Sequence, residues 1–257
     1  MSVRPKKSLG QHFLVDENLL GVIGRLAELD ASDVVLEVGP GVGVLTRFLA
    51  ARVRLVHAVE LDHELERPLR DALGDAQNVA LTFADVLSLD LVTLEPLPSK
   101  VVSNLPYNIA TPFVVESLDA LPTVRRWCVM VQREVADRFF AFPRTKTYGA
   151  VSVLVQLATR RTGFRAVPPT AFRPRPRVDS ALVAFERVEG PSFSWIRPVV
   201  EGAFAHRRKT LANSLALVGF ASRKRVEDAL ASLGLAANIR AQDLAPHDFV
   251  RLAERLS

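Results

Sequence analysis

The sequence predicts an α/β fold, with a parallel sheet covered by helices on both faces, followed by a smaller all-α domain. Three observations carry this. From about residue 30 to 135, short runs rich in valine and leucine alternate with stretches of helical spacing, and continuous apolar strands interleaved with helices mark a sheet buried on both sides. A glycine-rich segment lies between the first such run and the helix after it. Beyond Gly190 the pattern changes to short amphipathic helices.

In chain order, the predicted strands are VVLEVG, RLVHAVELD, VALTFAD, KVVSNLP and WCVMVQ. Between them Val44, Leu45, Phe48 and Leu49 share one helical face, as do Phe113, Val114, Leu118 and Leu121. GAVSVLVQL at 149–157 suits a helix or a buried strand, and the strand-like TGFRAVP that follows so closely favours the helix. PPTAFRPRPR is expected to be irregular, since its prolines remove donors and restrict their neighbours. DSALVAFERV alternates like a strand, with Ala181, Val183 and Phe185 on one face. Val199, Val200, Ala203 and Phe204 then form one apolar stripe, and Val226, Leu230 and Leu233 another. Pro246 suits the first turn of a last helix carrying Phe249, Leu252 and Leu256. The expected domains are 1–188, with an N-terminal arm and helix included, and 189–257.

Composition narrows the function. No apolar run reaches the roughly 18 residues of a membrane span, and MSVRPKKSLGQHF has no apolar core behind its charges. A cytoplasmic protein is expected. The single cysteine, Cys128, excludes an intramolecular disulfide, and its setting in WCVMV predicts a buried, inert thiol. His12, His57, His63, His206 and His247 show no metal-ligand spacing, so no metal is expected. The net charge of +5 is unevenly placed. Arg4, Lys6 and Lys7 open the chain; Arg160, Arg161, Arg165, Arg173, Arg175 and Arg177 crowd a later segment; His206, Arg207, Arg208 and Lys209 form a third cluster. Such clusters suit a phosphate-rich partner.

The glycine segment reads Glu37-Val-Gly39-Pro-Gly41-Val-Gly43. Glycine lets a backbone turn sharply and approach a ligand closely. Glu60 ends the next strand, where a carboxylate can accept both hydroxyls of a ribose. Asp85 ends the third and Asn104 the fourth. The spacing GxGxG differs from the GxGxxG of dinucleotide sites, and the Lys and Ser/Thr of a P-loop are missing. A ligand with a ribose and no phosphates fits, and S-adenosylmethionine is one.

Asn104-Leu-Pro-Tyr-Asn108 holds no nucleophile, general base or metal ligand. An exocyclic adenine or cytosine amine is a poor nucleophile because its lone pair is delocalised into the ring. Two acceptors set for its N–H bonds free that pair, and the Asn104 side-chain oxygen and the Leu105 carbonyl are placed to supply them. Pro106 stiffens the turn, and Tyr107 can stack on the base. A methyl on a sulfonium carries its own driving force, so alignment is the protein's main task.

GQHFLVD at 10–16, EVGPGVGVLT at 37–46, VELD at 59–62, NLPYNI at 104–109 and PRPRVDSALV at 174–183 together resemble the KsgA (RsmA) ribosomal RNA adenine dimethyltransferases, over nearly the whole chain. The resemblance implies a Rossmann-like class I methyltransferase domain with a seven-stranded sheet, then a small helical RNA-binding domain. It implies dimethylation, with S-adenosylmethionine, of the N6 amines of two adjacent adenosines near the 3′ end of 16S ribosomal RNA. Carried over by position, it implies cofactor contacts from His12, Leu14, Gly39, Gly41, Glu60, Asp85 and Asn104. It implies base capture by Asn104, Leu105, Pro106 and Tyr107, with Phe172 opposing Tyr107. RNA contacts are expected from Arg173, Arg175, His206, Arg207, Arg208 and Lys209, in a monomer. The family often has Asn where this chain has His12, which leaves the ring's protonation open.

The related Erm enzymes, which methylate large-subunit RNA, typically read NIPYH with Thr or Ser in the glycine loop. NLPYN, EVGPG, QREVADR and FAHRRKTLANSL are of the KsgA type. A binding-only assembly factor would not need the cofactor positions, and an enzyme for free nucleotides or DNA would not need the helical appendage.

Overall fold

The computed structural model describes residues 5, 6 and 9–257. Arg4 and Lys7 of the first basic cluster lie outside them. The chain forms two compact units, one of residues up to Ala136 with Arg160–Arg187, the other of Asp137–Thr159 with Val188–Ser257. The expected division at 188 assigned 137–159 to the first domain; in the structure that stretch packs with the second. Among the described residues, no helix is long and apolar enough to cross a membrane.

The elements run β1 (Phe13–Leu14), α1 (Glu17–Ala27), β2 (Val34–Val38), α2 (Val44–Ala50), β3 (Leu55–Glu60), α3 (Glu66–Leu73), β4 (Val79–Phe83), β5 (Lys100–Asn104), α4 (Ala110–Ala120), β6 (Arg126–Gln132), α5 (Arg133–Phe139), α6 (Ala150–Ala158), β7 (Thr159–Val167), β8 (Phe172–Arg173), β9 (Ser180–Arg187), α7 (Phe193–Phe204), α8 (Leu211–Leu217), α9 (Arg223–Ser232) and α10 (Pro246–Leu256). Seven strands form one sheet in the order β4-β3-β2-β5-β6-β9-β7. The pairs from β4 to β6 are parallel, and β6 with β9 is antiparallel.

Val35, Val56, Cys128 and Leu182 on one face of the sheet share a core cluster with Leu19, Ile23 and Ala27 of α1 and Leu45 and Leu49 of α2. Asp16 caps α1 by accepting from the Asn18 N–H at 3.0 Å, an arrangement worth about 1 kcal/mol. Cys128 is fully buried with its Sγ 3.8 Å from the Ile23 carbonyl, and burial pushes its thiol up to about 12. Its neighbour Trp127 points to the other face, as strand alternation requires. There its ring stacks on Phe185 and its Nε1 donates to Ser117 of α4 at 2.9 Å. Arg187 lies over the same indole and donates to the carbonyls of Leu118, Leu121 and Val124, a cation where a helix C-terminus favours one.

The proline-rich stretch is less irregular than its composition suggests. Phe172–Arg173 pairs antiparallel with the N-terminal arm, Leu14 opposite Phe172 and Phe13 opposite Arg173. A two-residue ladder needs no period of its own, so proline content could not reveal it.

The second unit packs α6 to α10 around aromatic rings. Tyr148 meets Phe204 edge-on, Phe204 stacks on Phe249, and the Tyr148 hydroxyl donates to the Leu244 carbonyl at 2.8 Å. Pro246 occupies the first turn of α10, with Phe249, Leu252 and Leu256 buried.

Candidate active site

The parallel strands end at a common edge, and β2 and β5 part there. Their pairing is confined to Val35–Lys100 and Leu36–Val101, and the Val38 N–H is met by the Ser103 hydroxyl at 2.8 Å instead of by a backbone carbonyl. Open α/β sheets bind ligands at such a split. A cavity opens at this place, lined from the arm (Leu9 to Leu14), the glycine loop, Glu60, Asp85 and Asn104 to Ile109.

Gly39, Gly41 and Gly43 all adopt left-handed backbone, at φ 72°, 61° and 81°, which glycine alone adopts without cost. A Cβ on Gly39 would meet the Pro106 ring at 3.1 Å, and one on Gly41 the Phe13 ring at 2.9 Å. The loop is thus pressed between the arm and the NLPYN turn. Glu60 anchors it: Oε2 accepts from the Gly41 N–H at 3.0 Å and Oε1 from the Asp62 N–H at 2.9 Å. Burial raises the Glu60 carboxyl, against the pull of those backbone donors. Asp85 sits two residues beyond β4, exposed, with Oδ1 accepting from the Leu87 N–H.

Asn104 closes β5, and its amide donates to the His12 carbonyl at 3.0 Å. Its Oδ1 and the Leu105 carbonyl receive no hydrogen bond from the described residues, while the Leu105 N–H is spent on Met130 at 3.0 Å. Beside them the Tyr107 ring lies 5.5 Å from the His12 ring, and its hydroxyl bonds the buried Ser180 hydroxyl at 2.6 Å. Burial raises the Tyr107 phenol, with Ser180 opposing. His12 Nδ1 faces the Pro174 carbonyl at 2.7 Å and, since a carbonyl only accepts, donates to it.

The cavity brings together His12, Leu14, Gly39, Gly41, Glu60, Asp85, Asn104, Leu105, Pro106 and Tyr107. Phe172 is the correction. It does not line the cavity; it is 2% exposed and shares the core with Leu14 and Ile23, because β8 pairs with β1. Arg173 and Arg175 are exposed on the first unit, and His206, Arg207, Arg208 and Lys209 on the second.

Two features escaped the sequence reading. Lys6 Nζ pairs with Asp62 at 2.7 Å and with Glu64 at 3.0 Å, while Gln11 donates to Asp62 at 2.9 Å. The arm is thereby latched beside Glu60. Burial works against the Asp62 charge, but Lys6 and Gln11 hold its carboxyl below the ordinary value. The only local signal was the position of Asp62 in VELD. The second is Glu37, 1% exposed and lining the cavity. Burial pushes it up to about 8, with Thr46 opposing and Glu60 adding to the rise. Its Oε2 finds no hydrogen-bond partner among the described residues.

These residues fit S-adenosylmethionine. The buried Glu37 carboxyl keeps an oxygen without a partner among the described residues, which a cationic or hydrogen-bond-donating group would meet, the glycines put no side chain between the arm and the NLPYN turn, and Glu60 retains lone pairs for ribose hydroxyls. Glu37, Gly39, Gly41, Glu60 and Asp85 would hold the cofactor.

The model of the family described as ribosomal RNA adenine dimethylase matches residues 3–257. Ribosomal RNA small subunit methyltransferase A of Rubrobacter xylanophilus is 46% identical over 256 residues, covering 99% of this chain and 96% of that protein. Its counterpart from Lactococcus lactis is 38% identical over 263 residues, covering 98% and 90%. A dimethyladenosine transferase from Plasmodium falciparum shares the fold with a TM-score of 0.80 at 24% identity, over 94% of this chain and 96% of that one. The 23S rRNA methyltransferase ErmE superposes with a TM-score of 0.68 at 32% identity, over 95% and 99%. A family model that matches from the arm to the last helix, and relatives alike over nearly their whole length, leave one conclusion: the chain belongs to the ribosomal RNA adenine dimethylase family, S-adenosylmethionine-dependent enzymes that methylate adenine.

Proposed function

We propose that this enzyme dimethylates the N6 amines of two adjacent adenosines near the 3′ end of 16S ribosomal RNA, acting as a cytoplasmic monomer on the small subunit or its precursor. The observation that carries the chemistry is the pair of uncommitted acceptors, Asn104 Oδ1 and the Leu105 carbonyl, at the end of β5. The target's small-subunit identity is supported by relatives of that name at 38–46% identity, against 32% for ErmE.

The sulfonium of bound S-adenosylmethionine supplies the electrophilic methyl. The Asn104 oxygen and the Leu105 carbonyl accept the two N6–H bonds before the first transfer, and one of them accepts the single N6–H left before the second, which localises the nitrogen lone pair and aims it; each transfer replaces one N6–H and releases its proton to solvent. His12 sets the Asn104 rotamer by taking its amide donor, so the oxygen is what the base meets. Tyr107 stacks on the purine, its hydroxyl anchored by Ser180. Pro106 holds the turn without offering a competing N–H. Arg173 and Arg175, with the run His206–Lys209, bind phosphates and set the RNA's orientation while reading no bases.

The test is transfer of tritiated methyl to small subunits lacking the modification, followed by mapping of the labelled nucleotides. Label on two adjacent adenosines near the 16S 3′ end is expected. Label in large-subunit RNA, or on free nucleotides alone, would overturn the reading.

A further inference from the structure

Phe142 is 75% exposed, more than any other large apolar side chain among the described residues. Single exposed apolar residues are common and need no explanation. This one differs in its mounting. The buried Ala141 before it is tied through its carbonyl to Gln156 at 2.9 Å. The Phe142 carbonyl accepts from both the N–H and the hydroxyl of Thr145, at 3.2 and 2.7 Å. Arg144, held in left-handed backbone at φ 68°, donates its N–H to the Gln242 carbonyl at 2.8 Å. The Thr145 carbonyl accepts the Tyr148 N–H, and the Tyr148 side chain is anchored in turn to Leu244. An aromatic ring therefore stands in water on a turn that its own unit holds at both ends.

The surroundings of that turn are basic. Arg144 is 77% exposed, with Asp243 as a partner at 3.6 Å, and Lys146 is exposed. Arg207 donates to the Tyr148 carbonyl at 2.8 Å and to the Lys146 carbonyl at 3.4 Å. This seats the run of Arg207, Arg208 and Lys209 at the foot of the same turn. Cations around one presented ring are what unpaired RNA requires, since phosphates seek the charges and a splayed base seeks a flat apolar face. A partner recognised by a purely apolar contact would not call for this ring of charge.

We infer that Phe142 is a second base-binding site, separate from the methyl-transfer cavity, on which an unpaired nucleobase of small-subunit ribosomal RNA stacks while Arg144, Lys146 and Arg207 hold its flanking phosphates. The inference rests on the proposed small-subunit substrate. It deepens that reading by assigning the second unit a specific contact with one base in addition to general attraction for RNA.

The experiment uses the full chain and small subunits lacking the modification. Replacing Phe142 by p-benzoylphenylalanine and irradiating the complex is expected to give a cross-link to a ribosomal RNA nucleotide. A cross-link to ribosomal protein alone, or none, overturns the inference. Phe142→Ala should weaken binding by roughly 5- to 100-fold, the loss of one stacked base, with the salt dependence unchanged because no counterion is released by stacking. Phe142→Trp should bind as well as the parent, and Phe142→Leu should fall with Ala. Equal binding by Leu and Phe would mean an apolar contact in place of stacking, and would also overturn it. If the parent enzyme itself methylates no small subunit, the proposed function fails; if it does and Phe142→Ala binds unchanged, this inference alone fails.

Discussion

The side-chain amide of Asn104 and the backbone carbonyl of His12 meet at 3.0 Å, joining the end of a central strand to the N-terminal arm. The bond uses the amide's nitrogen, so the arm decides which end of Asn104 faces the cavity. A residue 92 positions away in sequence thus sets the polarity of a group that lines the cavity.

Asn104→Ala should lower methyl transfer by about 10²-fold or more, the scale of removing one preorganised polar group from a reacting centre, while leaving RNA affinity within about twofold. Asn104→Asp should be no better, because a carboxylate has no donor for the His12 carbonyl. Single-turnover rates and RNA binding, measured on the same preparations, check both.

Tyr107→Ala should raise the KM for RNA by roughly tenfold or more through weaker stacking, with S-adenosylmethionine affinity little changed. Ser180→Ala leaves the Tyr107 hydroxyl without its partner and should cost about 1–3 kcal/mol of stability. In Tyr107→Phe with Ser180→Ala the two losses should be less than additive. Denaturant unfolding of the four proteins in that cycle tests the hydrogen bond directly.

Replacing Arg207, Arg208 and Lys209 together by alanine should reduce the slope of log K against log salt by roughly two to three units, nearly one for each phosphate that is no longer neutralised. An unchanged slope would remove the cluster from the RNA interface.

Burial raises Glu37 from 4.5 to about 8, with Glu60 the charged group beside it. A carboxyl raised on folding stabilises the folded state fully below its unfolded value, and that contribution is lost as pH rises through about 8. The thermal midpoint of the parent, relative to Glu37→Gln, should therefore fall between pH 5 and 9. The ammonium group of a bound ligand favours the ionised carboxylate, so the midpoint shift produced by S-adenosylhomocysteine should grow over the same range and be flat in the Gln variant. Thermal unfolding with and without ligand across that pH series decides it.

The strands and the rim were legible because a strand buried on both faces has to be a continuous apolar run, as VVLEV is, and because the polar residues ending such runs interrupt them visibly. NLPYN stands out for the same reason. The latch of Lys6 and Gln11 on Asp62 was not legible, since its partners lie more than 50 residues apart and each is an ordinary surface residue by type. Nor was the bond from Tyr107 to Ser180, 73 residues on. Phe172 was misplaced because the pairing with Leu14 that takes it into the core is invisible in a stretch of prolines. Residues 137–159 joined the second unit through bonds such as that of Tyr148 to Leu244, which no periodicity announces.

Cys128 gives the chain a built-in reporter. With one thiol in the whole molecule, locked behind α1 and reluctant to ionise, covalent tagging by a thiol-reactive dye can proceed only while the interior is open. The speed of tagging at graded urea concentrations then measures how often the first unit unfolds, and how far a bound nucleoside slows that opening, in a protein whose surface needs no engineered label.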